Sequence, residues 1–340
     1  MQHRSYVNLC TKPWEELVVF PNGEYTICCG GPPVGKIRDP SEIKDLWNNP
    51  TVLQYRENLN NSFEFGICTG CVFHGTLRNT EVRQHKRQSL PVRQERIPVI
   101  SFGLTDQCNL HCFMCGIARK YEGVNRKRHA DRLPLDYCRE FAVHHFPKAD
   151  IVNSNCFGEL FLYPQLRDFL RLLKEHRPKG HDAITTTTTA GSLRVPEKLW
   201  RAVMEAHNQV LFSIDSIDRT IHKIIRGFDF AVADKNLRTV QQLAATAYPD
   251  FKYGCSVVLM QLTVATLYDT LRISHEEYGC NVFHFQHISD TPGQSLAASR
   301  QWRVLGNEKL LQCQEYMRRH GIATNGHIGF YRDAAGNLES

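Results

Sequence analysis

GLTDQCNLHCFMCG, running from Gly103 to Gly116, carries three cysteines within eight residues, spaced Cys108-x3-Cys112-x2-Cys115. It follows directly on VISFGL (99–104), an apolar, β-branched run that reads as a strand. The cysteines therefore stand on the loop at the strand's C-terminal end. In barrels of alternating strands and helices, that is the face that carries the active site. A structural zinc site takes four protein ligands, and His111 is the nearest candidate for the fourth. An iron–sulfur cubane held by three cysteines would leave one iron open to another ligand. Spacing alone leaves both open.

Outward from this loop the chain alternates. Strands are expected at 99–104, 149–155, 182–190, 209–215, 253–260 and 281–287. Helical patterns lie between them at 134–146, 165–176, 196–207, 234–247 and 265–278, with a last helix over about 296–320. Six strands in roughly 190 residues is about 32 per unit, the spacing of a (β/α) barrel whose eight units fill about 250 residues. Six units leave such a barrel open on one side. The expected fold is thus α/β, a partial (β/α)6 TIM-type barrel.

Before the barrel the texture differs. ELVVFPNGEYTICC reads as two short strands about the turn Pro21-Asn22-Gly23, and PSEIKDLWNNP as a short helix entered at Pro-Ser and stopped at Asn-Pro. This region holds Cys10, Cys28, Cys29, Cys68 and Cys71. Read as one ligand, a hairpin with a second and a Cys-x2-Cys pair, it can supply the four thiolates of a closed zinc or [4Fe–4S] site. The expected division is a small domain over 1–80, a basic linker over 81–97, the barrel over 98–322 and a C-terminal tail over 323–340.

Composition sets outer limits. Of 340 residues, 42% are apolar and 22% charged, as in ordinary globular proteins. Apolar runs of about 18 residues are absent, so no membrane span is expected. MQHRSYVNLCTKPW lacks an apolar signal core, and thirteen cysteines without an export signal point to metal or catalysis, so a cytoplasmic location is expected. The net charge of +6 is mild. RQHKRQSLPVRQER (83–96) and RKYEGVNRKRH (119–129) concentrate it, but without interleaved stacking aromatics they do not argue for nucleic acid. They read as a solvated linker and a loop, the second near the mouth of the site.

The residues around the cysteines carry a resemblance. The spacing of Cys108, Cys112 and Cys115 after the first strand resembles the signature of the radical S-adenosylmethionine (SAM) superfamily. FGELFLYPQL (157–166) resembles its Gly-Gly-Glu-Pro motif, with Phe157 at the first glycine and Leu160 at the proline. TTAGSL (188–193) resembles its Thr-Asn-Gly turn, and LFSIDSIDRTIHKIIRG (211–227) its fourth-strand segment. The resemblance covers about 98–290 and implies a [4Fe–4S] cluster whose open iron chelates SAM. Reduction then cleaves the sulfonium to methionine and a 5′-deoxyadenosyl radical. It further implies that Gly158, Glu159, Thr189, Ser213, Asp215 and Arg226 bind the cofactor, and that a reductant such as flavodoxin or ferredoxin is a partner.

The N-terminal phrases, together with VGKI, DLWNNP and CTGC, resemble the SPASM/Twitch domain that holds auxiliary [4Fe–4S] clusters, here placed before the barrel rather than after it. Its ligands are expected to be Cys10, Cys28, Cys68 and Cys71, with Cys28 preferred to Cys29 because it keeps the Gly-x4-Cys spacing. Two clusters are therefore expected. Position 77 is leucine, so ligands for a third are lacking.

Two expectations concern substrate. Cys156, beside the second motif, is a candidate hydrogen-atom donor, weighed against a small residue packed under SAM. Alternation predicts that Asn153 and Asn155, Thr185, Thr187 and Thr189, Ser213 and Asp215, and His284 and Gln286 line the lumen. A polar lumen favours a sugar, nucleoside or related natural-product intermediate for oxidation, epimerisation or C–C coupling. The alternatives are a maturase of ribosomal peptides and a non-catalytic iron–sulfur or zinc scaffold.

Overall fold

The computed structural model describes residues 11–28, 31–61, 90–120, 129–288, 293–324, 328–332 and 337–339. Cys10, Cys29, Cys68 and Cys71, and the basic stretches 83–89 and 121–128, lie outside the described residues.

The described chain begins with helix α1 (Lys12–Glu15) and strands β1 (Glu16–Val19), β2 (Glu24–Thr26) and β3 (Gly35–Lys36). The expected turn closes as Gly23 takes φ +81° and its N–H donates to Phe20 O at 2.9 Å. A 3-10 helix (Pro40–Asn48) is capped by Asp39, and α2 (Pro50–Asn61) then restarts the chain. The sequence reading stopped at Asn-Pro. Proline at a helix's first position sacrifices no hydrogen bond, and the Asn49 side chain accepts from Val52 N at 3.0 Å, so the breaker is also a start.

The alternating part follows as β4 (Val99–Phe102), α3 (Gly116–Lys120), α4 (Leu135–His144), β5 (Ile151–Asn153), α5 (Leu166–Glu175), β6 (Ile184–Thr189) and α6 (Glu197–Ala206). Then come β7 (Gln209–Ser213), α7 (Arg219–Arg226), α8 (Phe230–Thr246), β8 (Lys252–Leu259), α9 (Gln261–Val264), α10 (Leu267–Tyr278), β9 (Val282–His287), α11 (Arg300–His320) and β10 (Ala323–Thr324). Helix α7, which the sequence showed only as part of a motif, is capped by Asp218 and ends on Gly227 at φ +78°.

The described strands form one unclosed sheet of ten, ordered β10-β9-β8-β7-β6-β5-β4-β1-β2-β3. Pairing is parallel from β10 to β1 and antiparallel from β1 to β3. The fold is the expected partial barrel preceded by a small N-terminal unit. Strand β1 of that unit lies directly beside β4.

The two sheet faces separate by alternation. Ile100, Phe102, Val152, Val210, Phe212 and Cys255 belong to the main core under the helices. Phe102 meets Phe141, Phe146 and Phe169 edge-on at 5.0, 5.5 and 6.5 Å, and Trp200 lies over Phe212 at 5.6 Å. Each fully buried phenylalanine contributes about 1.5–3 kcal/mol by desolvation. Val18, Leu211 and Val282 alternate with these residues and stand outside that core, on the inner face.

The C-terminal stretch folds back on α11. Asn307 Nδ2 donates to Tyr331 O at 2.7 Å and to Glu339 O at 2.9 Å, and Arg303 Nε pairs with Glu339 at 2.6 Å.

Candidate active site

The three cysteines of the 108–115 loop gather at the C-terminal end of β4. Cys108 and Cys115 pack with buried Cys112 against one apolar patch made of Leu110, Ala190, Met114 and Phe228. The loop is pinned from several sides. Phe113 N donates to Ile225 O of α7 at 3.4 Å, and Ser192 Oγ donates to Asn109 Oδ1 at 3.0 Å. Asp106, buried, accepts from Asp131 N at 2.7 Å and pairs with Lys120 at 2.8 Å. Sequence reasoning missed Asp106, because an aspartate within a cysteine motif carries no signal of its own.

Gly158 explains why the second motif needs its glycine. It takes φ +61°, and a Cβ there would run into Thr105 O and approach Gln107 O to 2.6 Å. The next residue, Glu159, donates its N–H to Gln107 O at 2.8 Å, so the motif's backbone lies against the root of the cysteine loop. The Glu159 carboxylate is buried and accepts from Thr189 Oγ1 at 2.7 Å and Ala190 N at 2.9 Å. Burial pushes its pKa up, and these hydrogen bonds oppose the shift. Gly158, Glu159 and Thr189 thus lock three strand ends together beside Cys112.

Phe157, where the resembled motif has glycine, stacks on Phe20 of the N-terminal hairpin with centroids 5.1 Å apart. The approach is possible because Gly103 lies beneath, where a Cβ would meet the Phe157 ring and come within 2.7 Å of Pro21. The departure from the pattern is a docking contact between the two parts of the chain.

Arg226 ends α7 and reaches back to Asp215, Nε to Oδ2 at 2.6 Å and Nη2 to Oδ1 at 3.0 Å. Asp215 is wholly buried and also accepts from Val258 N at 2.9 Å. The remaining Arg226 nitrogen, Nη1, lies 3.9 Å from Cys112 Sγ. Burial raises the Cys112 thiol's pKa, and the nearby guanidinium opposes that. His222 on α7 sits between Phe228 and Phe230 at 4.8 and 5.2 Å, with both ring nitrogens buried and unpartnered, and burial pushes its pKa down to about 4. Asn155 Oδ1 is likewise buried without a partner, while its Nδ2 donates to Thr188 O at 3.0 Å.

Register decides which polar side chains face inward. Ser101, Asn153, Thr186 and Gln209 form one row across β4 to β7, with Gln209 Nε2 donating to Thr186 Oγ1 at 3.1 Å. Ser213, Ser256 and His284 form another, and Ser256 Oγ meets His284 Nδ1 at 3.1 Å. Gln286 stands two residues beyond His284 on the same face. The expected threonine set is corrected. Thr185, Thr187 and Thr189 are in register with Val152, Val210 and Phe212 and face the helices, so the inward threonines are Thr186 and Thr188. The run of five identical residues hid the register, since either phase looks the same.

Cys156 lies past the end of β5, its N–H donating to Phe102 O at 2.8 Å. The residue as a whole is exposed, while its thiol is closely surrounded by protein. Burial pushes the thiol up to about 12, the charge of Glu16 adds to the shift, and the Ser101 hydroxyl opposes it. In the N-terminal hairpin Cys28 is half-buried, its carbonyl accepting from Thr26 Oγ1 at 3.2 Å.

A strand-end loop with three clustered thiols, tied by a glutamate to the next loops, defines a cluster-binding barrel enzyme. Residues 103–272 match the family model of the radical SAM superfamily, and residues 10–72 match that of an iron–sulfur cluster-binding domain. The first match spans half the chain, and the protein belongs to the radical SAM superfamily. Its cofactors are [4Fe–4S] clusters and SAM.

No curated protein matches the chain. Among solved structures it is similar to Streptococcus suis SuiB bound to S-adenosylmethionine, at 16% identity and TM-score 0.47 over 68% of this chain and 51% of that one. It is also similar to anSMEcpe with bound AdoMet, at 14% identity and TM-score 0.51 over 67% and 61% of the two chains. SuiB bound to its precursor peptide SuiA is 13% identical with TM-score 0.47, over 91% and 71%. At such identities the likeness concerns fold alone, and the chain spans 51% to 64% of the length of the first SuiB and anSMEcpe structures.

The residues present fit the cofactors. Among the described residues no three Cys, His, Asp or Glu side chains converge on a single ion. A cubane asks for no such convergence, because each thiolate binds a different iron. The Gly158 turn, which has no room for a side chain, lies against residues 105–107 at the root of the cysteine loop, and Asn155 past the end of β5 keeps a buried oxygen without a partner. Among the described residues no helix is long and apolar enough to cross a membrane.

Proposed function

We propose that this radical SAM enzyme abstracts hydrogen from a polar small molecule, a sugar, nucleoside or related natural-product intermediate, for oxidation, epimerisation or C–C coupling. One observation carries the reading: the inner face presents Ser101, Asn153, Thr186, Ser213, Ser256 and His284 in two register rows. Several of these groups pair with one another or with Glu16, and an apolar substrate would leave their remaining donors and acceptors unsatisfied at about 1–3 kcal/mol each, whereas hydroxyls and base edges satisfy them.

In this reading Cys108, Cys112 and Cys115 hold the catalytic cluster. Cys10, Cys28, Cys68 and Cys71 hold the auxiliary one in a domain over 1–80, joined through 81–97 to a barrel over 98–322 and a tail over 323–340. When bound, the reduced cluster and SAM together supply hydrogen-atom abstraction, chemistry no side chain here performs alone. The chain's own residues orient and enclose. Gly158 lets backbone approach, Glu159 and Thr189 fix the strand ends around the cofactor, and Ser213 faces it from β7. Asp215 holds Arg226 so that Nη1 is presented beside Cys112. Cys156, an exposed cysteine past the end of β5, is assigned in this reading to return a hydrogen atom to a substrate radical. The enzyme would work in the cytoplasm with a flavodoxin- or ferredoxin-type reductant.

The test is substrate-stimulated 5′-deoxyadenosine formation by the cluster-loaded enzyme, with SAM and dithionite, across panels of sugars, nucleosides and peptides. Stimulation by a sugar or nucleoside supports the reading. Stimulation by a precursor peptide alone would reassign the enzyme to peptide maturation.

A further inference from the structure

Helix α7 has two unlike faces. The inner one touches the cysteine loop: Ile225 O accepts from Phe113 N at 3.4 Å, and Arg226 O and Nη1 each lie 3.9 Å from Cys112 Sγ. Phe228, just past the helix, packs on the apolar patch that includes Cys108 and Cys115. The outer face carries Arg219, Thr220, Lys223 and Ile224, all exposed. Arg219 and Lys223 are four residues apart, as are Thr220 and Ile224, so the four share one stripe of the helix. Ile224 is 58% exposed, more than any other large apolar side chain among the described residues. The ion pair that α7 makes is that of Arg226 with Asp215; Arg219 and Lys223 have none among the described residues. Asp218 at the start of the helix is engaged as its N-cap, accepting from Thr220 N at 2.8 Å and Ile221 N at 3.0 Å.

An apolar side chain flanked by uncompensated cations is left in water directly over the cysteines. From Ile224 the chain passes to the Ile225 carbonyl, across one hydrogen bond to Phe113 N, and so to Cys112, the residue bonded to that nitrogen. One peptide unit and one hydrogen bond thus separate an exposed surface from a cysteine of the loop. We infer that the Arg219–Lys223–Ile224 face of α7 is the docking surface of an acidic electron-carrier protein that presents a flavin, and that the electron enters across the Ile225–Phe113 contact. This rests on the reading of Cys108, Cys112 and Cys115 as ligands of the catalytic cluster.

The two cations complement carboxylates around the carrier's flavin, and Ile224 complements the apolar dimethylbenzene edge of the flavin ring. One electron leaves the reduced flavin and is gained by the cluster; no atom is transferred. Complementary charge of this kind acts mainly on the rate of encounter, and salt screens it.

Two measurements on the full chain test this. The first needs no cluster. The cluster-free protein is mixed with flavodoxin, an acidic flavin mononucleotide protein, and treated with a carbodiimide, which joins an amine to a carboxylate in contact with it. Peptide mass spectrometry should find Lys223 joined to flavodoxin, and salt of about 1 M, where the screening length is about 3 Å, should abolish the link. The second uses the cluster-loaded enzyme with SAM and compares 5′-deoxyadenosine formation driven by reduced flavodoxin with that driven by photoreduced deazariboflavin, a small uncharged reductant. Arg219→Glu/Lys223→Glu should lower the second-order rate with flavodoxin about a hundredfold at low salt, inside the roughly thousandfold span between steered and unsteered encounter. The deazariboflavin-driven rate should stay at the wild-type value. Ile224→Ser should lower the flavodoxin rate and leave its salt dependence as in wild type.

Wild type that cleaves SAM with neither reductant would overturn the cluster reading and the docking surface together. Wild type driven by deazariboflavin but not by flavodoxin, a flavodoxin rate indifferent to the charge reversal, or carbodiimide links that avoid Lys223 would overturn the docking surface alone. Dependence on these residues with a plant-type ferredoxin but not with flavodoxin would overturn the flavin carrier as its occupant. Should the charge reversal lower both rates equally through misfolding, Arg219→Gln/Lys223→Gln must still lower the flavodoxin rate alone, or the proposal falls.

Discussion

Replacing Asp215 by asparagine tests how the site is held. The aspartate is wholly buried and the Arg226 side chain only 11% exposed, so each charge depends on the other for compensation. Breaking a buried pair by removing one partner costs about 3–5 kcal/mol, because the surviving charge stays out of water. Asparagine keeps one acceptor oxygen for the guanidinium contacts at 2.6 and 3.0 Å, which puts Asp215→Asn at the lower end, about 3 kcal/mol. That is roughly a hundredfold in the folded-to-unfolded ratio. Urea unfolding of the cofactor-free protein, followed by fluorescence, reads it. The double variant Asp215→Leu/Arg226→Met, which replaces both charges by apolar groups, should recover most of this stability while still failing to bind SAM once the cluster is loaded. If Asp215→Asn unfolds within about 0.5 kcal/mol of wild type, the range of ordinary surface substitutions, water compensates the pair and the buried-anchor argument fails.

Two further outcomes follow from single residues. Gly158→Ala should lose SAM binding by equilibrium dialysis, because a Cβ there meets the Thr105 and Gln107 carbonyls; Gly227→Ala, also at positive φ but with open space around it, should cost only the left-handed backbone penalty of about 1–2 kcal/mol and keep binding. His207, held between Ser154 Oγ at 2.7 Å and Val203 O at 3.0 Å, has its pKa pushed down by burial to about 4. The unfolded chain, titrating near 6.5, takes up that proton first, so the contribution is full above about pH 6.5 and lost as pH falls to about 4, a change of about 3 kcal/mol. His207→Gln should show a flatter decline of urea midpoint over that window than wild type, and parallel declines would refute the assignment.

Much of this architecture could be read from residue order. The six barrel strands announced themselves as β-branched runs separated by amphipathic helices, and five lie within the span their runs suggested, β8 starting one residue earlier, at Lys252. The cysteine loop, Glu159 and the Arg226 segment were visible because their residue types are chemically unusual at those spacings. What escaped depends on three-dimensional register. The repeated threonines give no phase, so their inward set was inverted. Glu16 looked like an ordinary strand residue of the hairpin, and only the parallel pairing of β1 with β4 brings it within a hydrogen bond of Ser101. Phe157 read as a defect in a glycine motif until its partner Phe20, 137 residues earlier, was in place.

The central claim, a SAM-cleaving cluster on Cys108, Cys112 and Cys115 with a second cluster on the N-terminal cysteines, is tested most directly by metal content. After anaerobic reconstitution the chain should hold about eight irons, two cubanes of four, and should cleave SAM reductively to 5′-deoxyadenosine. The Cys108→Ala/Cys112→Ala/Cys115→Ala variant should keep about four irons and lose that cleavage. Protein purified anaerobically with zinc and no iron would contradict the account.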